Sequence, residues 1–593
     1  PHLLSTREIW VSFISIYKGG FFLTIFCVII IFMKEKLIEA IKKALKNLNI
    51  DSDIVFVVEH PEDFLHGDYS TNVAMVGGKI AKSNPRELAE KIVAELEKQK
   101  IAEVSKIEIA GPGFINFYLK PEFFVNNLKE IIKTGERYGQ SKIGKGKKVL
   151  VEYSSPNIAK PFNIGHLRST IIGDAVAKIL SATGYKVIRD NHLGDWGTQF
   201  GKLLVAIEKW GNLAEIEKSE SPIKKLVELY VHFHNEAEKD ATLETLAREK
   251  FKLLENGDKA SLKIWKICID LSNKEFAKIY KRLNVSFDTA LGESEFVKEK
   301  MTAPVIKALN AKKLLKESEG AQVVFFENDK MPPLIVWKTD GTSIYATRDL
   351  AADFYRKKKY GKDLIIVNEV GIEQTLYFRQ LFEVEKMLGL IKEGERVHIS
   401  HGLYLGESGS KMSTRKGEVV ALEEILDEAV LRAGEINKVS AEVVGIGAIK
   451  FNDLRRESSS DIIFNWEQIL NLKGDSGPYL QYAGRRAFSI LEKAKDVGIK
   501  ESLKKPAQEI TLVEKLLARF PEAVARAGEE YSPHYIATYL MELAGAFNNY
   551  YAKNKIVDKG DILSPYRLAL THALGIVITN GLNLLGIKVP EKM

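Results

Sequence analysis

Cysteine is nearly missing from this chain. Cys27 and Cys268 are the only two, in segments with no evident relation, which excludes a disulfide framework and a multi-cysteine zinc site and fits a reducing cytosol. A membrane-length apolar run is also lacking. Residues 9–32 are apolar, but Lys18-Gly19-Gly20 interrupts them, and the remaining run 21–32 is shorter than the ~20 residues a bilayer requires. Charge of one sign is scarce: 86 basic residues face 79 acidic ones, for a formal +7, so any polyanion-binding surface must come from local clustering. No short repeat or low-complexity tract occurs, which excludes a repeat architecture.

What is present is length and patterning. A chain of 593 residues with 45% hydrophobic content exceeds a single core and predicts three or more domains. Met33 opens an amphipathic helix with Leu37, Ile41, Leu45 and Leu48 on one face. Residues 1–32 precede it, start at Pro1, and are expected to be an over-extended reading frame, with a signal or anchor as the alternative. Residues 33–145 read as a small α/β domain that ends in two strands around Gly111-Pro112-Gly113 and a Gly/Lys linker at 144–148.

From Val149 a strand, a helix over 167–183 closed by Gly184, and a second strand at 186–189 give a βαβ unit. Residues from about 214 to 321 are helical and charged, and read as an insertion between two halves of a core. Strand-like runs at 322–326, 334–337 and 364–367 supply the second half. After about residue 440 only amphipathic helices remain, for example Ile536, Leu540, Leu543, Phe547 and Tyr550 on one face, which predicts a helical bundle.

Two segments carry most of the chemistry. Asn157-Ile158-Ala159-Lys160-Pro161-Phe162-Asn163-Ile164-Gly165-His166 follows the first core strand and leads into a helix, where α/β folds hold phosphates. Gly165 permits close backbone approach, and His166 offers an imidazole donor at the positive end of the helix dipole. The second, Lys411-Met412-Ser413-Thr414-Arg415-Lys416-Gly417, is a basic loop suited to clamp an anion from the other side. Alone, each has an ordinary reading as turn chemistry or a solvated face.

In this order and spacing they resemble the two signature motifs of class I aminoacyl-tRNA synthetases. Further stretches narrow the resemblance to the arginyl-tRNA synthetase family: Ser154-Ser155-Pro156-Asn157, Asn191-His192-Leu193-Gly194-Asp195-Trp196-Gly197, Tyr345-Ala346-Thr347-Arg348-Asp349-Leu350-Ala351, Gly477-Pro478-Tyr479-Leu480-Gln481-Tyr482-Ala483, Gly67-Asp68-Tyr69-Ser70-Thr71-Asn72 and Leu585-Gly586-Ile587. They span nearly the whole chain from Met33. The resemblance implies a multidomain α/β protein: a tRNA-contacting N-terminal domain at 33–145, a split Rossmann-like catalytic core at 146–437 with the helical insertion, and an all-α anticodon-binding domain at 438–593. It implies ATP-dependent attachment of L-arginine to tRNA(Arg) through an arginyl-adenylate, with adenylate formation dependent on bound tRNA. Mg²⁺ is expected with ATP and no structural metal; the protein is expected to be a cytoplasmic monomer.

The residues are then assigned roles. Asn163 stands where the family's first motif usually has histidine; an amide still donates a hydrogen bond but carries no charge. Thr414 stands where the second motif has its catalytic lysine, and threonine cannot neutralise pyrophosphate. Lys160, Lys416 and Arg415 are the candidates to replace it, and the resemblance favours Lys160; Lys411 and Ser413 match the class pattern, with Gly165, His166, Lys411 and Met412 on the ATP side. A guanidinium substrate calls for a carboxylate in fork geometry and a flat π surface. Tyr345 and Asp349 are four apart behind the helix-start residues Thr342 and Ser343, so they project from one face. Glu152 is a candidate second carboxylate. By resemblance Ser155, Pro156, Asn157, His166, Tyr345, Asp349 and Gln374 contact arginine, although Tyr377 replaces a usual histidine beside Gln374. Asp195 and Gln199 are read as supports. In the helical domain Tyr479, Tyr482, Arg485 and Arg486, with Tyr539, mix cations and aromatics as splayed anticodon bases require. Two other readings compete: an RNA-binding paralogue without catalysis, suggested by Asn163 and Thr414, and a small-molecule nucleotidyltransferase, disfavoured by the large helical domain.

Overall fold

The structure is a computed structural model that describes residues 31–50, 53–298, 300–327, 331–338, 345–406, 409, 412, 420–507 and 509–593. Residues 1–30, Thr342, Ser343, Lys411, Ser413, Thr414, Arg415 and Lys416, on which several expectations fall, lie outside that set. The chain divides into two units, one made of residues up to 141 with 506–522, the other of 142–505 with 523–593.

In the first unit the helix Ile31–Asn47 buries Met33, Leu37, Ile41 and Leu45. They pack in one core with residues of an antiparallel sheet ordered Val58–Glu59, Tyr69–Thr71, Phe114–Leu119, Val104–Ala110. The last two form the expected hairpin, and Gly111 and Gly113 take positive φ in its turn (51° and 132°), where a side chain would be strained. The grouping of 506–522 with this unit was not legible. Phe520 stacks on Tyr138 at 6.0 Å, and Glu522 accepts a 2.5 Å hydrogen bond from the Tyr69 hydroxyl.

The second unit is built on a five-stranded, wholly parallel sheet. Its strands lie in the order Arg396–His401, Ile365–Gly371, Lys148–Glu152, Lys186–Leu193, Thr289–Gly292. The chain starts in the central strand, builds outward through 186–193 and 289–292, then returns to the other side through 365–371 and 396–401. The order therefore reverses between 148–152 and 365–371, and α/β sheets bind ligands at the carboxyl ends of the strands beside such a switch point. The crossover helix Ile164–Ala182 approaches the central strand closely at Gly173, where a Cβ would come within 2.2 Å of Tyr153 Cβ.

Two differences from the sequence reading concern the second half of the core. Thr289–Gly292 lies within the stretch read as insertion, yet it is the edge strand of the main sheet; four residues without an apolar run give no strand signal. The runs at 322–326 and 334–337 belong instead to a separate three-stranded antiparallel sheet with Leu315–Ser318, because apolar β-forming residues do not specify parallel or antiparallel partners. The helical insertion proper comprises Leu213–Lys218, Pro222–Ala237, Thr242–Glu255 and Lys259–Leu283.

Beyond the sheet, the helices Leu422–Ile436, Ala441–Leu454, Gly477–Asp496, His534–Lys553 and Ser564–Leu584 follow. Ser476 caps the third, accepting from Tyr479 N, and Pro478 occupies its first turn, where a missing N–H costs nothing. Ile536, Leu540, Leu543 and Phe547 are buried as their spacing predicts. Among the described residues no helix is long and apolar enough to cross a membrane.

Candidate active site

The loop leaving the central strand is tightly held. Ser154 and Ser155 both take left-handed φ (72° and 44°), a costly conformation for residues with a Cβ, and surrounding hydrogen bonds fix it. Ser154 N donates to Ser169 Oγ at 2.9 Å, and Ser155 N to Asn191 Oδ1 at 3.1 Å. Pro156 O accepts from Gly194 N, and Asn157 pairs with Gly194, whose missing side chain leaves room for the Asn157 amide. Ser155, Pro156 and Asn157 are thereby clamped to the end of the neighbouring strand. Asp195 supports that end: its two oxygens accept from Ser294 N and Oγ at 2.8 and 2.6 Å.

Asn163 and His166 form a capping box at the start of the crossover helix. Asn163 Oδ1 accepts from Gly165 N at 3.0 Å, and His166 Nδ1 accepts from Asn163 N at 3.1 Å. Because Nδ1 is an acceptor, the ring carries its proton on Nε2. Burial, with the nearby Lys160 and His401 charges, lowers the His166 pKa to about 4, so the ring is neutral at physiological pH and acts as a hydrogen-bond donor. Lys160 is exposed and has no ion-pair partner among the described residues.

Two residues beyond His166, the buried Arg168 makes a forked pair with Asp453: Nε to Oδ2 at 3.1 Å and Nη2 to Oδ1 at 3.2 Å. Asp453 Oδ2 also accepts from the Tyr404 hydroxyl at 2.8 Å, and Tyr404 O accepts from Met412 N at 3.1 Å. This contact ties Met412 of the second motif to the core.

Across the switch point, Asp349 and Tyr345 share one face of the helix Tyr345–Tyr360. The Tyr377 hydroxyl donates to Asp349 Oδ2. Burial raises the Asp349 pKa, assisted by the Glu152 and Asp353 charges and opposed by His192 and Tyr377. Tyr345 is 67% exposed, with the Arg348 guanidinium 4.9 Å from its ring centre. Gln374 is exposed at the turn before the helix Thr375–Leu388, and its side chain makes no capping bond. Glu152, the candidate second carboxylate, is engaged in an ion pair. Its Oε2 lies 2.6 Å from Arg356 Nη2, which is 2.5 Å from Asp190, because a guanidinium buried against the sheet requires carboxylates around it.

In the helical region Tyr482 is 44% exposed and Arg486 lies 4.1 Å from the Tyr551 ring centre. Arg485 is held by Glu492 at 2.9 Å, and the Tyr479 hydroxyl accepts from Asn548 at 2.6 Å. Tyr539 is buried in the bundle. A cavity of about 340 Å³ adjoins Tyr551 and is lined by Lys493, Lys553 and Lys555.

A central strand, a clamped loop, a capped Gly-His helix start and a following helical bundle define a class I aminoacyl-tRNA synthetase. Residues 127–466 match the catalytic domain of tRNA synthetases class I (R), 480–593 the DALR anticodon binding domain, and 35–119 the arginyl tRNA synthetase N terminal domain. The arginine–tRNA ligase of Halothermothrix orenii is 40% identical over 575 residues, covering 94% of this chain and 99% of that protein. That of Lactobacillus johnsonii is 42% identical over 552 residues, covering 91% and 96%. The Thermus thermophilus arginyl-tRNA synthetase structure superimposes with a TM-score of 0.77 at 26% identity, covering 95% of this chain and all of that one (100%). The chain belongs to the arginyl-tRNA synthetase family.

Proposed function

We propose that this chain, an ATP-dependent arginine–tRNA ligase by family, joins L-arginine to tRNA(Arg) through an arginyl-adenylate made at the carboxyl ends of the 148–152 and 365–371 strands. One observation carries the reading. The neutral donor His166 starts the helix that follows one of these strands, Gln374 lies in the turn that follows the other, Asn368 and Glu152 are in register between the two, and Tyr377, on the helix after that turn, donates to Asp349. Arginine's carboxylate attacks the α-phosphorus, pyrophosphate leaves, and catalysis is positioning plus stabilisation of developing negative charge.

In this reading Asp349 and Tyr345 receive the guanidinium, with Gln374 beside them, while Ser155, Pro156, Asn157 and His166 hold the amino-acid end. Glu152 acts at one remove, through Arg356 and its field on Asp349. Gly165, His166, Asn163 and Met412 serve ATP, Lys411 and Ser413 are assigned to it through the second motif's sequence, and Lys160 supplies the charge that Thr414 lacks, ahead of Lys416. Mg²⁺ enters with ATP as part of the substrate, held by phosphates; among the described residues no group of three or more His, Cys, Asp or Glu could hold a metal. Tyr479, Tyr482, Arg485 and Arg486 face the anticodon, supported by the lysine-lined cavity next to Tyr551. The protein works as a cytoplasmic monomer.

Aminoacylation of total tRNA with each of the twenty amino acids tests this. Arginine alone should be charged; charging of another amino acid, or of none, would refute it. Pyrophosphate exchange should be near zero without tRNA and appear when tRNA is added, and brisk exchange in its absence would overturn the tRNA dependence.

A further inference from the structure

A buried acid–imidazole pair at the same edge of the sheet is absent from both motifs. Glu369 lies on the strand next to the switch point and is 2% exposed; its Oε1 is 2.8 Å from His401 Nδ1. The parallel register sets His401 beside Gly371, at the carboxyl end of both strands. Glu369 O also accepts from Ser169 Oγ at 3.0 Å, which ties this strand to the helix three residues after His166. The pair is therefore built into the site on two sides.

Its charge state follows from burial. An ionised carboxylate enclosed in a sheet is strongly unfavourable unless a cation is paired with it. Burial alone would discharge His401, but the Glu369 charge and hydrogen bond outweigh it and raise the imidazole pKa above its ordinary value. The other groups acting on the ring are Arg168, which opposes the proton, and Asp453, which favours it; these two are paired with each other. His166 and His398 lie near enough for His401 to lower their pKa values, and the exposed Glu373 borders Gly371 on the open side. With Nδ1 on Glu369, Nε2 has no hydrogen-bond partner among the described residues and donates when the ring is protonated. Asn163 carries no charge and its amide oxygen is engaged on Gly165 N. His166 is a neutral donor. His401 is the imidazole at this edge whose surroundings favour the protonated form.

We propose that His401 is a further catalytic residue whose Nε2–H contacts the anionic centre formed as the amino-acid carboxylate meets the α-phosphate of ATP, with Glu369 as the positioning residue that fixes its ring. This rests on the function proposed above. A bond forms between a carboxylate oxygen and the α-phosphorus, pyrophosphate departs with the electron pair, and His401 keeps its proton throughout. A cation at this place repels a guanidinium, so it belongs to the phosphate and carboxylate end rather than to the side-chain pocket.

The test measures aminoacylation and tRNA-supported pyrophosphate exchange across pH 6–9 for wild type, His401→Phe and Glu369→Gln, with thermal melting as the folding control. A raised imidazole pKa means that the cation is lost as pH rises through it, so wild-type kcat should fall on that alkaline limb. His401→Phe should lower kcat by about tenfold or more and abolish the limb, and Glu369→Gln should move the limb to lower pH. A His401→Phe enzyme within twofold of wild type with the wild-type profile overturns the proposal, as does a limb unmoved in Glu369→Gln. Should His401→Phe fail to fold, the Glu369→Gln profile decides. Failure of the wild type itself to charge tRNA with arginine refutes the underlying function; normal wild-type charging with an unaltered variant refutes only the role of His401.

Discussion

Replacing Asp349 with Asn should raise the KM for arginine steeply and leave that for ATP nearly unchanged. The carboxylate sits at the start of the Tyr345–Tyr360 helix, where burial is the largest influence on it and raises its pKa, and one oxygen is already bonded to the Tyr377 hydroxyl. A poorly hydrated carboxylate binds a guanidinium well because little water is displaced. Truncating one partner of such a desolvated charge pair costs about 2–5 kcal/mol, and an amide that keeps one hydrogen bond places the loss at the lower end, about 2–4 kcal/mol. That converts to roughly 30- to 1000-fold in arginine KM. The variant should be no less stable than wild type. A carboxyl whose folded-state pKa is raised disfavours folding once pH exceeds its unfolded value, and Asn removes that penalty. As pH falls through the raised pKa, wild-type Asp349 takes up a proton and arginine KM should climb, whereas the Asn variant should lack this component. Aminoacylation kinetics with arginine and ATP varied in turn provide the assay. An arginine KM within threefold of wild type, or an equal rise in ATP KM, would refute the pocket.

Lys160→Ala should cut tRNA-supported pyrophosphate exchange far more than Lys416→Ala does; equal or reversed effects would reject Lys160 as the replacement for the charge missing at Thr414. Gly173→Ala should destabilise by about 1–3 kcal/mol, because the new Cβ meets Tyr153, whose ring is packed 4.7 Å from Phe287. Its thermal inactivation midpoint should fall together with activity, since Tyr153 leads into Ser154 and Ser155, and an unchanged midpoint would show that helix and strand can separate at no cost.

Local signals were legible and cross-chain ones were not. The central strand and the helix after it were readable because an apolar β run and helical spacing lie within one short stretch; the cap at Asn163, which starts the helix at Ile164 instead of 167, was not read. The burial of Leu37, Ile41 and Leu45 followed from their period alone. The strand Thr289–Gly292 was missed because its place in the sheet comes from backbone pairing with Asp190–Leu193, not from its own composition. The same limit applies to the site. Asp349 and Tyr345 could be paired from their spacing, but the His401–Glu369 contact joins positions 32 apart on neighbouring strands, and Glu152 reaches Arg356 from a different segment. Nothing in either local sequence identifies the partner. Grouping of 506–522 with the first unit has the same cause, since Glu522 finds Tyr69 only in the folded chain.

Asp453 is a joint for distant parts of the chain. One of its oxygens fixes a guanidinium just past the His166 turn and also receives the phenol of Tyr404, whose carbonyl secures Met412. The spacing between the turn that starts a helix and the stretch that follows Tyr404 is thus gauged from a single buried acidic side chain. Any change that loosens Asp453 would blur both alignments together, so variants there should resemble combined lesions of the two motifs rather than a fault in either one.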